Sequence, residues 1–183
     1  MGSSLFVLGG ARSGKSRFAV ASQPAHARVI FVATAQAGDG DMGARIARHR
    51  AERPRTWLTV EEPFDLVPRL VRLTGDAVVV DCLTLWVANR MLRGDSDDAI
   101  LADADALAAL IRRRPFALTA VSNEVGEGVH PATADGLRFR DLLGAVNQRV
   151  AAAAERVVLM VAGIPLEVKT PAHESPIPTL QTG

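Results

Sequence analysis

Cysteine is almost missing from this chain: Cys82 stands alone, which excludes an intramolecular disulfide framework and a cysteine-based zinc site. Lysine is nearly as scarce, for among 21 lysines and arginines only Lys15 and Lys169 are lysine. No apolar run approaches the roughly 20 residues that span a bilayer. Charge of one sign does not dominate either. The formal net charge of +1 gives the whole-molecule field no reason to recruit nucleic acid or an anionic membrane. No basic, apolar and cleavage-site sequence opens the chain, so the expectation is a soluble protein at work in the cytoplasm. An N-K-x-D guanine-recognition pattern is also lacking, which weakens a reading as a GTPase switch. The 183 residues suggest one domain, expected over 1–170. Pro171, Pro176 and Pro178 lie among polar residues in 171–183, where a loose, flexible C-terminal tail is expected.

What is present is ordered by short apolar runs at Leu5–Leu8, Val29–Ala33, Ala77–Val80, Phe116–Val121 and Val157–Val161. Each is nearly continuous rather than alternating, as in strands buried on both faces. Thr56–Val60 is a further short candidate. Helical spacing falls between them, at Ser16–Ser22, Met42–Arg53, Phe64–Leu73, Leu83–Leu92, Ala99–Arg113 and Leu137–Ala154. Alternation of strand and helix predicts an α/β domain with a mainly parallel sheet covered by helices. Ligands of such sheets gather at the carboxyl ends of the strands, so the residues following each run are the place to look for chemistry.

After the first run comes Gly9-Gly10-Ala11-Arg12-Ser13-Gly14-Lys15-Ser16, a phosphate-binding loop of the form G-x-x-x-x-G-K-[ST]. Its glycines let backbone N–H groups curl around phosphate oxygens, the lysine reaches the β and γ phosphates, and the hydroxyl coordinates Mg²⁺. The following helix turns its positive end toward the same anion. In a chain that otherwise uses arginine, a lysine here has a physical reason: a compact ammonium enters a narrow cradle that a planar guanidinium does not fit. The other runs end in Thr34-Ala35-Gln36 with Gly38-Asp39-Gly40-Asp41 beyond, in Asp81, and in Ser122-Asn123-Glu124. Asp81 has the position of a Walker-B carboxylate that holds Mg²⁺ opposite Ser16, and the competing reading is a cap on the helix that begins near Leu83. Glu124 is a second acidic candidate, balanced by the reading of a solvated loop carboxylate. Val125 to Pro131 is glycine-rich, and either closes over a substrate or merely connects.

Met42 to Arg55 packs five arginines around one histidine between Arg45 and Arg55. On a helix Arg45, His49 and Arg53 share one side, where flanking guanidinium groups would disfavour imidazolium and neutralise a phosphate brought to a nucleophilic ring. An exposed basic helix with an incidental histidine explains the same residues equally well on physics alone. His26, His130 and His173 lack such company and are read as surface residues.

Several of these blocks together resemble the bifunctional adenosylcobinamide kinase/adenosylcobinamide-phosphate guanylyltransferase family. They are Gly9 to Ser16, Arg45-Ile-x-x-His49 through Arg53-Pro-x-x-Trp57, Ser122-Asn-Glu-Val-Gly126, and Phe139-Arg-Asp through Val146-Asn-Gln148, in order over about Leu5 to Lys169. The resemblance implies a phosphate-loop, RecA-like, three-layer α/β domain active late in adenosylcobalamin synthesis. It implies phosphorylation of adenosylcobinamide by ATP or GTP, then transfer of GMP from GTP to adenosylcobinamide phosphate through a guanylylated histidine, with Mg²⁺ as cofactor. His49 takes the nucleophile's place, and Arg48 precedes it where some relatives pair two histidines. Gly9, Gly10, Ala11, Arg12, Ser13, Gly14, Lys15 and Ser16 fall on the nucleotide phosphates. Thr34, Ala35, Gln36, Arg50, Ala51, Glu52, Arg53, Glu61 and Asp81 complete the nucleotide site, with Arg45 and Arg53 as candidate charge stabilisers. The resemblance further implies a homo-oligomer, a trimer by analogy, with a corrinoid as substrate. A small-molecule kinase without guanylyltransferase activity, or a nucleotide-gated module without catalysis, are the rival readings.

Overall fold

The computed structural model describes residues 2–36, 53–113, 115–126, 128 and 130–171. Its elements run β1 (Ser4–Gly9), α1 (Lys15–Ala21), β2 (Val29–Ala33), β3 (Leu58–Glu61), α2 (Leu66–Leu70), β4 (Ala77–Asp81), α3 (Leu83–Arg93), α4 (Asp97–Arg113), β5 (Ala117–Val121), α5 (Ala134–Ala153), β6 (Arg156–Val161) and β7 (Ile164–Lys169). Apart from Arg53, the expected helix over Met42–Arg53 lies outside the described residues, and so, apart from Pro171, does the expected tail over 171–183. The five apolar runs all form strands, and the short candidate becomes β3, displaced by about two residues.

The strands join in the order β3-β2-β4-β5-β1-β6-β7, with β1 to β6 parallel and β7 antiparallel to β6. Alternate residues of the inner strands enter different cores because side chains leave a strand on opposite faces. Phe6, Ile30, Val32, Val78, Val80, Leu118 and Ala120 meet Leu70 of α2, Trp86 of α3, Leu107 of α4 and Val146 of α5 on one face. Leu5, Val7, Val29, Phe31, Val79 and Val158 meet Ala19 and Phe18 of α1 on the other. A mainly parallel sheet with helices on both faces is therefore what the runs predicted, since neither face of β1, β2 or β4 can be left wet.

Helix ends follow the sequence chemistry. Asp97 and Asp98 open α4 and Arg112 and Arg113 close it, each charge opposing the nearer end of the helix dipole. Thr133 caps α5, its hydroxyl accepting a hydrogen bond from Gly136 N at 3.0 Å. β7 is the element that the apolar runs do not announce. It contains Pro165 and is exposed almost throughout, as suits an edge strand, where a missing N–H need not break a ladder. A two-residue turn, Ala162 (φ 51°) and Gly163 (φ 86°), joins it to β6, the all-positive geometry that fits the twist of a tight hairpin.

Candidate functional site

Parallel pairing brings the carboxyl ends of six strands to one rim, in the order Glu61, Thr34, Asp81, Ser122, the Gly9 loop and Val161. The phosphate loop leaves β1 through Gly9, whose φ of 150° and crowded surroundings require a residue without Cβ. A methyl group there would lie 2.6 Å from the Met160 carbonyl oxygen and 2.7 Å from Ser13 Oγ. The loop then folds back, Ser13 N donating to Gly10 O at 3.4 Å, before Gly14 caps α1. The Lys15 ammonium turns into the ring so formed, donating to Gly10 O at 2.6 Å, with Ser13 Oγ at 3.5 Å. Lys15 is buried, whereas Gly10, Ala11 and Arg12 form the exposed crest of the loop. Behind it stands the β6–β7 turn, where Gly163 N donates to Ser13 O at 3.1 Å. The backbone geometry is thus held by two neighbouring strands rather than by the loop alone.

Asp81 ends β4, which is separated from β1 by β5. The following helix α3 is capped at Cys82 without a side-chain hydrogen bond, so the Asp81 carboxylate is not spent on that cap. It is half-buried on the rim. Burial, and then the negative charge of Asp81, push the Cys82 thiol up to about 11, which leaves it a neutral packing group at ordinary pH.

Thr34 is fully buried and its hydroxyl is engaged twice, donating to Cys82 O at 2.7 Å and accepting from Cys82 N at 2.8 Å. Asn89 Nδ2 donates to Thr34 O at 2.7 Å and to Pro63 O at 3.3 Å, tying α3 to the ends of β2 and β3. Thr34 therefore fixes the rim, while half-buried Ala35 and exposed Gln36 continue from it. Glu61 is exposed at the end of β3, opposite Ala33. Arg53 stacks its guanidinium 3.3 Å over the Phe31 ring, a cation on an aromatic face. Arg45, His49, Arg50, Ala51 and Glu52 lie outside the described residues, as do Gly38 to Asp41 and His173. His26 is exposed, and exposed His130 shares a 3.0 Å contact between its Nδ1 and Arg140.

Oxygen donors in this set fit Mg²⁺, a hard cation that takes one or two protein oxygens alongside phosphates and water. Ser16 supplies a half-buried hydroxyl in the first turn of α1 and Asp81 a carboxylate not used for capping. Thr84 and Asn89, which shape the rim from α3, carried no signal in the sequence beyond being polar at helical positions, whereas Asn147 of α5 stood out only as part of the Val146-Asn-Gln148 block of the resemblance, with no role attached. A hollow at the opposite end, among Gly2, Ser3, Gly75, Asp76 and Phe116, lies at the amino ends of the strands. Its one carboxylate, Asp76, is bonded to Arg28.

Residues 5–168 match the family described as cobinamide kinase / cobinamide phosphate guanyltransferase. The chain is 44% identical over 167 residues to the bifunctional adenosylcobalamin biosynthesis protein CobP of Pseudomonas aeruginosa, covering 89% of this chain and 95% of that one. It is 38% identical over 180 residues to the bifunctional adenosylcobalamin biosynthesis protein CobU of Escherichia coli, covering 90% and 99%. The CobU protein of Salmonella typhimurium is likewise 38% identical, with the same coverage. Among solved structures, an ATPase of a bacterial type III secretion system superposes with a TM-score of 0.52 at 13% identity, over 88% of this chain and 51% of its own, a likeness of fold.

Proposed function

Since this chain belongs to the cobinamide kinase / cobinamide phosphate guanyltransferase family, we propose that it performs both reactions late in adenosylcobalamin synthesis. It first transfers the γ phosphoryl group of ATP or GTP to the hydroxyl of adenosylcobinamide. It then transfers GMP from GTP to the new phosphate, giving adenosylcobinamide-GDP and pyrophosphate. The observation that carries this reading is the phosphate loop closed around buried Lys15, on one rim with the polar ends of β2, β3, β4 and β5.

In the first reaction Gly9 to Ser16 bind the triphosphate, with backbone N–H groups and Lys15 offsetting its charge, and Ser16 and Asp81 are the residues that would hold Mg²⁺. The ion, when bound, would supply charge neutralisation to the triphosphate. In the second, His49 attacks the α phosphorus, pyrophosphate leaves, and the substrate phosphate displaces histidine from the guanylyl group. Splitting one transfer into two gives a phosphoramidate, an activated donor. Arg45 and Arg53 stabilise charge at the α phosphate, and Ala35, Gln36, Arg50 to Arg53 and Glu61 complete the nucleotide site, with buried Thr34 holding the strand end from which Ala35 and Gln36 continue. The setting is the cytoplasm, as a homo-oligomer and, by analogy, a trimer. Exposed Val161, Ile164, Leu166 and Val168 on the β6–β7 hairpin support assembly, because such side chains on an edge strand invite pairing.

GTP labelled at the α phosphate tests the second reaction. Label should remain on the protein after alkali, leave it in acid, and be lost in His49→Ala. Native protein that acquires no label, yet phosphorylates adenosylcobinamide, would reduce the chain to a kinase.

A further inference from the structure

The end of β5 is held more firmly than a connecting loop needs. β5 lies between β1, which carries the phosphate loop, and β4, which carries Asp81. Beyond it, Ser122 N donates to Val7 O at 3.0 Å and Glu124 N donates to Gly9 O, the first residue of the phosphate loop, at 3.1 Å. Between them, Asn123 N donates to Thr84 Oγ1 of α3 at 2.8 Å, and that hydroxyl is 3.4 Å from Ser122 Oγ. From α5, Asn147 Nδ2 donates to Asn123 O at 3.1 Å. Ser122, Thr84 and Asn147 are all buried, and Asn147 Oδ1 is a buried acceptor with no hydrogen-bond partner among the described residues. Burying a polar group is unfavourable unless it bonds, and the one clasp atom left without a partner among the described residues, Asn147 Oδ1, is a cost that a plain apolar contact would not carry. What the clasp fixes is Glu124. The carboxylate of Glu124 is half-buried and uses one oxygen to accept from Gly126 N at 3.1 Å.

We propose that Glu124 is the proton acceptor of the kinase step, and that Asn147 is the positioning residue that holds it beside the phosphate loop. The inference rests on the kinase reading given above. As the substrate alcohol oxygen bonds to the γ phosphorus, its proton passes to the Glu124 carboxylate. The bond from the γ phosphorus to the β–γ bridging oxygen breaks, and the nucleoside diphosphate leaves with that electron pair. Asp81 ends β4, one strand further from the loop, where it would hold the cation, and the Asn123 amide cannot take a proton. The guanylyl step needs no such acceptor, because its nucleophiles are an imidazole and a phosphate oxygen already without its proton. One protein therefore contains both the reaction that needs Glu124 and its control.

The test uses the full chain in two assays: adenosylcobinamide with ATP or GTP, and pre-formed adenosylcobinamide phosphate with GTP. Glu124→Gln keeps an acceptor for Gly126 N and is expected to lower kinase kcat by about 100-fold or more, the usual range for general-base loss, and to remove the acid limb of its pH profile. Guanylyl transfer should fall by less than about 3-fold, a fraction of that loss. Asn147→Leu, similar in shape, should lower kinase kcat by about 10-fold while retaining the acid limb, as expected of a misplaced rather than missing base. Kinase kcat within about 3-fold of native in Glu124→Gln, or equal loss in both assays, would overturn the assignment. A native chain that transfers GMP but cannot phosphorylate adenosylcobinamide would overturn the kinase reading itself, and this inference with it.

Discussion

At the scale of single residues, the phosphate loop is a problem of backbone space. Gly9 meets a carbonyl oxygen and a serine hydroxyl where any Cβ would have to sit, and its positive φ adds strain for other residues. Gly9→Ala should therefore cost about 1–3 kcal/mol of stability through strained backbone and weaken nucleotide binding at least 10-fold, because the amides that face the phosphates move with it. Chemical denaturation and nucleotide titration read the two effects separately. Lys15 shows what a sequence motif can and cannot specify. Its identity followed from the spacing, but its bond to Gly10 O depends on the fold of the loop. Thr34 is the converse: its resemblance to a nucleotide contact is legible, yet its hydroxyl is saturated by the backbone of Cys82, 48 residues away. No local pattern encodes a partner at that distance.

Elements are joined by charge as well as by apolar packing. Between α3 and α4, Asp95 accepts from Arg90 and from Arg93, whose Nη2 lies 2.6 Å away, and Arg90 also reaches Asp103 of α4 at 2.5 Å. Arg138 of α5 adds a 2.6 Å pair to Asp97. The Arg93 hydrogen bond, then that of Arg90, hold the Asp95 carboxyl down at about 2, below its ordinary value of 3.8. A carboxyl depressed in the folded state stabilises the fold above its unfolded pKa, and this contribution is lost as pH falls toward and through about 2. Native protein should lose stability between pH 4 and 2, and Asp95→Asn should be less stable at pH 6 but flatter across that window, as thermal melts at stepped pH would record. Recognition at this scale depended on pattern. The continuous runs of β1, β2, β4, β5 and β6 were plain because both faces of those strands are buried, whereas β7, with Pro165 and alternate polar residues on an exposed edge, offered no such run.

For the whole molecule, the exposed apolar hairpin predicts behaviour in solution. Ile164 and Leu166 are 69% and 57% exposed, and β7 is one of the two edge strands of the sheet. For the proposed homo-oligomer, Leu166→Glu should shift the protein toward the monomer in light scattering while leaving its circular dichroism intact, because a charge on an edge strand opposes pairing with another copy. An unchanged oligomer would place the contact elsewhere. Sequence alone determined the alternation of strands and helices, the phosphate loop at the first strand end, and the family to which the chain belongs, because each depends on residues near one another or in a fixed order. Only the tertiary structure decided the strand order that sets β5 between the phosphate loop and Asp81, the hairpin turn against Ser13, and the clasp of Thr84 and Asn147 around the end of β5. The physical reason is that these are contacts between elements, fixed by burial and hydrogen bonding across the whole core rather than by periodicity along the chain.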